Sequence, residues 1–309
     1  MQDCILTIYC TAYNHGKYIR KTLEGFVNQQ TTYPFRVLIH DDASTDNTRQ
    51  IIEEFVAQYP DLFHPIYQEK NQYSQKVKIY DTFIQPILTT KYTALCEGDD
   101  YWCDPQKIQL QLDYMEQHPE CSLCVHNTEL IREDGSPKGI LLNENGVDKN
   151  ITAEEIIEAG GGGLFHTSSY LYRTEIRNQK PQDFSIPHVG DYPLAMFFAM
   201  HGQVHYIGKM MSYYRVGAVG SWVTRMNQNK ALLQAHRERE LQCLDRIDEI
   251  TDRKYHRSFQ LAKKRTLYRG YLKDGNLKPI FQDPDMRAFW NQNSLMGKCK
   301  LLIKAILKR

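Results

Sequence analysis

Residues 92–100 read Tyr92-Thr93-Ala94-Leu95-Cys96-Glu97-Gly98-Asp99-Asp100. An apolar run of strand formers ends in three carboxylates within four residues. Like charges this close repel one another, and they are tolerated when a cation sits among them. Oxygen ligands select Mg²⁺ or Mn²⁺, ions that commonly also hold substrate phosphates. Alone, the cluster reads equally as a solvated acidic turn ahead of the helix opened by Asp104 and Pro105. Working outward, three further runs read as strands: Cys4 to Thr11, Phe35 to His40 and Phe63 to Gln68. Between them Ile19, Leu23, Phe26 and Val27, then Ile51, Ile52, Phe55, Val56 and Tyr59, then Val77, Tyr80, Ile84 and Ile87 recur at helical spacing. Asn14, and Ser44 with Thr45, stand where helix caps are expected. This alternation predicts an α/β fold, a mainly parallel sheet with helices on both faces. Such sheets bind ligands at the carboxyl ends of their strands. The polar clusters Thr11 to Asn14, Asp41 to Asp46 and Glu97 to Asp100 all fall there.

The 309 residues carry 38 Lys plus Arg against 37 Asp plus Glu, a net charge of +1. A balance this even argues against a nucleic-acid binder that works by bulk charge. With 41% hydrophobic and 24% charged residues, the chain is neither disordered nor a rod. No run approaches the roughly 18 apolar residues of a membrane span, and the start, Met1-Gln2-Asp3-Cys4, lacks the features of a secretory signal. A cytoplasmic location is expected. Eight cysteines are too few for a disulfide scaffold, and Cys121 and Cys124 lack a second pair at zinc spacing.

Cys121 to Arg132 reads as a strand ending in the turn signal Asp134-Gly135. Thr152 to Glu155 is a capping box. The glycines 160–163 precede another strand-like run, Leu164 to Arg173, and read as a loop bringing backbone close to a ligand rather than as a linker. Beyond Gly220 the chain is helical and charged. The expected domains are 1–222, with halves 1–125 and 126–222, and a helical extension 223–309.

Thr11-Ala12-Tyr13-Asn14, then Asp41-Asp42-Ala43-Ser44-Thr45-Asp46-Asn47-Thr48, then Glu97-Gly98-Asp99-Asp100 resemble, in order and spacing, the signature of family 2 glycosyltransferases with the GT-A fold. The resemblance covers about the first 125 residues and continues more loosely to Trp222. It implies a nucleotide-diphosphate-sugar donor, with Thr11, Tyr13 and Asn14 beside base and ribose and Asp41 and Asp42 toward the base. Asn71 and Lys78 would line the nucleotide pocket. Glu97, Asp99 and Asp100 match the metal-binding DxD element, Asp99 also facing the donor, and the metal would neutralise the departing diphosphate. Glu97 replaces the usual Asp, and Lys78 a usual Arg. The QxxRW element of processive members is not found, which argues for transfer of a single sugar; the resemblance further implies a hexosyl or related sugar, inversion by direct displacement with a single base, and a surface glycan or lipid-linked acceptor.

An acceptor hydroxyl needs a base. Asp191, at the start of an apolar helix, matches the family's catalytic Asp and is read as the base, the alternative being an ordinary helix cap, and one residue can do both; Asp183 is the next candidate. On the acceptor or phosphate side, Trp102 reads as a sugar platform or as packing, Arg215 with Trp222 as a diphosphate clamp, and His166 as an acceptor contact or a core histidine. The rival readings are a metal-dependent nucleotidyltransferase or phosphohydrolase, or a non-catalytic nucleotide-sugar-binding module. From Lys298 to Arg309 there are five basic residues and no acid. As a helix this tail would set Lys300, Lys304 and Lys308 against Leu295, Leu302, Ile303 and Ile306, the layout of an interfacial helix. The tail therefore reads either as a peripheral contact with the cytoplasmic membrane face or as a terminal helix docked on the domain with its lysines in water.

Overall fold

The computed structural model describes residues 4–143, 146–160, 164–185, 190–218, 221, 226 and 229–307, with side chains placed as far as residue 302. The chain divides into two compact units. One comprises residues 1–152, 164–180 and 197–225; the other comprises 153–163, 181–196 and 226–309.

In the first unit, β1 (Leu6–Ala12), β2 (Phe35–Asp41), β3 (Phe63–Tyr67) and β4 (Tyr92–Glu97) form a parallel array in the order β3-β2-β1-β4. The crossovers carry α1 (Ile19–Val27) and α2 (Thr48–Gln58). After β5 (Tyr101–Trp102) and α3 (Lys107–Gln117) come β6 (Cys121–Ile131), β7 (Pro137–Leu141) and β8 (Lys149–Ile151). Later segments add β9 (Leu171–Arg173) and the long β10 (Gln203–Arg215). The sheet continues β4-β9-β6-β10-β5, with β7 on β6 and β8 on β10.

The sheet is mixed, more so than the expected mainly parallel one. The chain reaches β9 through a 3₁₀ turn, Thr167–Ser169, set against the carboxyl end of β4, so β9 runs back antiparallel, pairing Ala94 with Leu171 and Tyr92 with Arg173. β6 and β10 run parallel, and β5 pairs antiparallel with β10. Two expectations, one for a helix and one for a strand, shift. The spacing at Val77 to Ile87 gives a π turn, Tyr80–Ile84, and a 3₁₀ turn, Gln85–Ile87, because Pro86 cannot continue an α-helix. Leu164 to Arg173 gives strand only from Leu171.

Period-two alternation sorts the core. Ile8, Cys10, Val37, Ile39, Ala94 and Cys96 pack with Ile19, Leu23 and Phe26 of α1 and Ile51, Ile52 and Phe55 of α2. Tyr9, Leu38 and Leu95 point the other way, against Tyr80, Ile84 and Leu88. Leu23 is fully buried, so truncation to Ala would cost about 2–5 kcal/mol. Gly25 is obligatory in α1: a Cβ there would lie 2.7 Å from the Trp102 carbonyl oxygen, so the helix rests directly on β5 backbone.

In the second unit, α4 (Ala153–Ala159) precedes α7 (Lys230–Ile250), α8 (His256–Asp274), α9 (Lys278–Gln282), α10 (Pro284–Asn291) and α11 (Leu295–Leu307). Asn229 caps α7 by accepting from Ala231 and Leu232 N–H, and Asp283 caps α10 by accepting from Asp285 and Met286 N–H. α8 stops at Gly275, whose φ of 75° is the left-handed C-cap conformation. Tyr268, Ile280, Met286, Phe289 and Trp290 form the core of this helical part. In the first unit, α5 (Thr174–Asn178) follows β9. α6 (Asp191–His201) begins in the second unit and ends in the first.

Candidate active site

The parallel register brings the three motifs to one edge. Ala12 of β1 pairs with Asp41 of β2, and Thr11 with Glu97 of β4. Hydrogen bonds then lace the three loops together. Asp42 N–H donates to the Ala12 carbonyl at 2.9 Å, and Gly98 N–H to the Thr11 carbonyl at 2.8 Å. Asn14 is not a helix cap. Its φ is 55°, its side-chain oxygen accepts Thr45 N–H at 2.7 Å, and its own N–H donates to Ser44 Oγ at 2.9 Å. Ser44 in turn bonds the Asp41 carboxylate, so neither Ser44 nor Thr45 caps α2. Burial pushes the Asp41 carboxyl up.

Asp42 is buried, and its two oxygens accept the N–H groups of Gln72 (2.7 Å) and Tyr73 (3.0 Å). Asn71 closes the same loop, donating to the Asp42 carbonyl at 3.3 Å and accepting Ser74 N–H at 2.6 Å. The structure therefore joins Asp42 and Asn71 in one tied loop. Tyr13 stands out beside it, 44% exposed, and Lys78 is exposed just before the π turn.

The carboxylate turn points its members in different directions. Glu97 accepts from Thr167 Oγ at 2.9 and 3.0 Å. Gly98 has no room for a side chain: a Cβ would meet Ile19 at 2.7 Å and His15 Nδ1 at 2.8 Å. Asp99 faces His15, whose Nε2 lies 3.9 Å from Oδ1 and whose buried Nδ1 has no hydrogen-bond partner. Asp100 is only 2% exposed. Its Oδ1 accepts the main-chain N–H of Arg215 at 2.8 Å, and its Oδ2 lies 3.4 Å from His166 Nδ1. Burial, with Asp99 and Glu97 nearby, holds the Asp100 carboxyl well above the usual carboxylate range. His166 stacks on Tyr214 at 3.9 Å between ring centres, and burial pushes its imidazole down to about 3.

Among the described residues one group has the donors and spacing to hold a metal ion: Glu97, Asp100 and His166, with ligand atoms all within 4.8 Å of one another. Two carboxylates and an imidazole are a donor set that fits a divalent cation. Cys121 and Cys124 are buried free thiols outside this group.

Arg215 corrects the expected diphosphate clamp. Its guanidinium donates to the carbonyls of Asp99 (2.9 Å), Arg132 (3.2 Å) and Glu133 (2.6 Å) and lies 4.5 Å over the Tyr18 ring. It holds the turn in shape. Trp102 is likewise no sugar platform. It is buried, donates from Nε1 to the Ser168 carbonyl at 2.8 Å, and meets Phe26 edge to face. Trp222 and glycines 161–163 lie outside the described residues. Asp191 is the exposed first residue of α6, and Asp183 pairs with Arg246. An open groove of about 590 Å³, lined by Cys103, Asp104, Lys209 and Tyr213 among others, holds none of the sequence-predicted residues. His15 and Thr167 are the site-facing side chains that sequence reasoning missed. A histidine in the polar loop at a strand's carboxyl end was the available signal for His15.

Residues 7–139 match the family model described as glycosyl transferase family 2. The chain resembles the family 2 glycosyltransferases. An uncharacterized protein of Mycobacterium tuberculosis is 34% identical over 222 residues, 70% of this chain and 60% of the relative. The chain thus spans 60% of that relative's length. Among solved structures, Staphylococcus aureus TarS 1–349 in complex with UDP-GlcNAc superimposes with a TM-score of 0.60 at 16% identity, covering 97% of this chain and 79% of that one. The mannosyltransferase PcManGT from Pyrobaculum calidifontis, in complex with GDP-Man and Mn²⁺, gives 0.56 at 15% identity, covering 98% and 80%. The fold is therefore the GT-A fold that the family 2 motifs predict, a mixed sheet with flanking helices followed by C-terminal helices.

Proposed function

We propose that this protein is an inverting glycosyltransferase that moves one hexosyl or related sugar from a nucleoside-diphosphate sugar to a hydroxyl acceptor in surface glycan synthesis. The observation that carries the reading is the shared register of Ala12 with Asp41 and of Thr11 with Glu97, which sets the three family 2 motifs side by side at one sheet edge. The match over residues 7–139 supports it. So do the UDP-GlcNAc and GDP-Man complexes of the two solved neighbours.

On this reading the Thr11–Asn14 loop and the tied Asp41, Asp42 and Asn71 loops form the nucleotide pocket, with exposed Tyr13 beside the base and Lys78 toward the phosphates. Glu97, Asp99 and Asp100 would hold Mn²⁺ or Mg²⁺, which when bound neutralises charge on the departing diphosphate. Asp191 takes the acceptor proton as the new bond forms, and displacement in one step inverts the anomeric carbon. The acceptor is a glycan or a lipid-linked intermediate. The catalytic domain ends near Trp222, and the helices beyond it form an extension whose last helix touches the membrane surface. No helix among the described residues is long and apolar enough to cross a membrane, which agrees with contact from one side.

Calorimetry with nucleoside diphosphates and Mn²⁺, paired with turnover of a nucleotide-sugar panel, tests the proposal. Wild type should bind one nucleoside diphosphate and release it from its sugar donor, while Asp99→Asn and Asp100→Asn lose both. Full Mn²⁺-dependent binding in both variants would make the cluster a solvated turn. Release of a nucleoside monophosphate would identify a phosphohydrolase instead.

A further inference from the structure

Two arginines of the helical unit carry charge that the protein does not answer. Arg265 and Arg269 stand one turn apart on α8, so their side chains leave the same face of the helix. Arg269 is exposed and donates from Nη2 to the carbonyl of Ala159, the last residue of α4, at 2.9 Å. Its Nη1 lies 3.0 Å from where a Cβ on Gly160 would stand, so the chain leaving α4 is bare backbone beside it. Arg265 lies over the Phe289 ring at 4.5 Å, and its buried Nε has no hydrogen-bond partner. Among the described residues no carboxylate reaches ion-pair distance of either guanidinium. The neighbouring acids are engaged elsewhere. Glu158 accepts from Ser258 Oγ at 2.7 Å, Glu240 from Thr266 Oγ1 at 3.0 Å, and Asp274 pairs with Arg237 at 3.6 Å. Burial, then repulsion from Arg269, pushes the Arg265 guanidinium down from its ordinary value. A half-buried cation with an open donor, next to a second cation, lacks a counter-ion. The same last turn of α4 also receives the start of α6: the hydroxyl of Tyr192, next to Asp191, donates to the Ile157 carbonyl.

We infer that Arg265 and Arg269 bind a phosphate group carried by the acceptor, next to the sugar that offers its hydroxyl. The chemistry follows from the donors. Each guanidinium presents paired N–H groups in a planar fork that matches two oxygens of a phosphate. A phosphate monoester or diphosphate also brings up to two negative charges to two positive ones, which a single carboxylate does not. Arginine suits a half-buried site because its charge is delocalised and weakly hydrated. The inference rests on the glycosyltransferase reading for calling the ligand an acceptor, since Asp191 enters the same α4 turn through Tyr192. It adds to that reading the acceptor's chemical class: a phosphorylated sugar rather than a neutral glycan.

The test titrates the full chain, in EDTA, with glucose 6-phosphate, and in parallel with glucose and with inorganic phosphate. Wild type should bind the sugar phosphate more tightly than either control. Arg269→Gln and Arg265→Gln should each weaken it on the order of tenfold or more, the scale for losing charge-assisted hydrogen bonds. Arg265→Lys should lie between, keeping the charge but not the fork. Asp99→Asn should bind the sugar phosphate as wild type does, which separates this site from the carboxylate turn. Arg269 is exposed, so its variant decides the matter if Arg265→Gln does not fold; UDP with Mn²⁺ bound as in wild type verifies that Arg269→Gln is intact. Equal sugar-phosphate affinity in wild type and Arg269→Gln overturns the inference, and continued sugar transfer would then leave the glycosyltransferase reading standing. Inorganic phosphate bound as tightly as the sugar phosphate overturns the acceptor assignment in favour of a free anion. Sedimentation with phosphatidic acid vesicles that is lost in Arg269→Gln, with sugar-phosphate affinity unchanged, overturns it in favour of a lipid headgroup. Sugar phosphate bound through both arginines by a chain that transfers from no nucleotide-sugar keeps the phosphate site and overturns the acceptor assignment.

Discussion

Arg215 holds the Asp100 carboxylate with its main chain: the Arg215 N–H donates to Asp100 Oδ1 at 2.8 Å, while the Arg215 side chain reaches back to the neighbouring Asp99 carbonyl at 2.9 Å. Strand pairing sets this up. Tyr213 pairs with Tyr101 and Ser212 with Trp102 in antiparallel register, so the residue two beyond Tyr213 faces the turn that precedes Tyr101. Arg215→Met should leave three carbonyls without their donor and cost about 2–4 kcal/mol of stability. It should also weaken Mn²⁺-dependent nucleoside-diphosphate binding, with Arg215→Lys between the two. Denaturant unfolding and calorimetry measure the pair of effects. Unchanged binding in a destabilised variant would confine Arg215 to the fold.

Asp191→Asn should leave donor affinity near wild type and lower turnover by about 10²-fold or more, the scale for removing a general base. Single-turnover transfer and donor titration separate the two quantities. Asp183→Asn should do far less, because Asp183 already pairs with Arg246. Full turnover in Asp191→Asn would move the base elsewhere.

Lys107 gives a pH dependence. It is fully buried at the start of α3, donates to Gln111 Oε1 at 2.7 Å and sits 3.8 Å over the Trp102 ring. Burial pushes its ammonium down from 10.5 to about 7. Between those two values the unfolded chain binds a proton that the folded chain has released, so the Lys107 contribution to stability rises with pH across that window. Below pH 7 both states are protonated, and folding carries the full cost of a buried charge. Lys107→Met should therefore be more stable than wild type at pH 6, with the difference shrinking toward pH 10. Urea titrations at several pH values check this, and a parallel pH dependence in both proteins would refute it.

The C-terminal helix gives a prediction about membranes. Leu295 is 81% and Met296 69% exposed at the start of α11, Lys300 is exposed, and Leu301 packs toward the Tyr268 and Trp290 core. A helix that turns apolar side chains and lysines outward together matches the interface of an anionic bilayer. The full chain should sediment with anionic liposomes at low salt and be released at high salt, whereas a chain truncated after Ser294 should stay in solution. Equal pelleting of both chains would rule out the tail as the contact.

Much of the fold was legible because its signals are local. Strand runs, helical spacing and the polar clusters at the strand ends follow from side-chain periods of two and 3.6, which need no partner to be read. The parallel pairing of β1 to β4 and the gathering of Thr11, Asp41 and Glu97 at their carboxyl ends agree with that reading, while the order β3-β2-β1-β4 is set by long-range pairing that local periods do not carry. The 3₁₀ turn at Thr167 and the antiparallel β9 were not legible, since the strand-like run from Leu164 is apolar whichever way it is placed.

By itself, then, the sequence determined the α/β class, the three motifs and the presence of a carboxylate turn. Tertiary structure decided what each member of that turn faces. Glu97, Asp99 and Asp100 are near neighbours in the chain, yet Glu97 meets Thr167, Asp99 meets His15, and Asp100 meets Arg215 and His166. Adjacent residues in a tight turn point different ways, and their partners arrive from separate segments, the loop after β1 (His15), the turn ahead of β9 (His166 and Thr167) and the end of β10 (Arg215), so only the folded chain could assign them. The same long-range pairing turned Arg215 toward backbone carbonyls and buried Trp102 beneath the loop, because burial depends on what packs above a residue rather than on its chemical type.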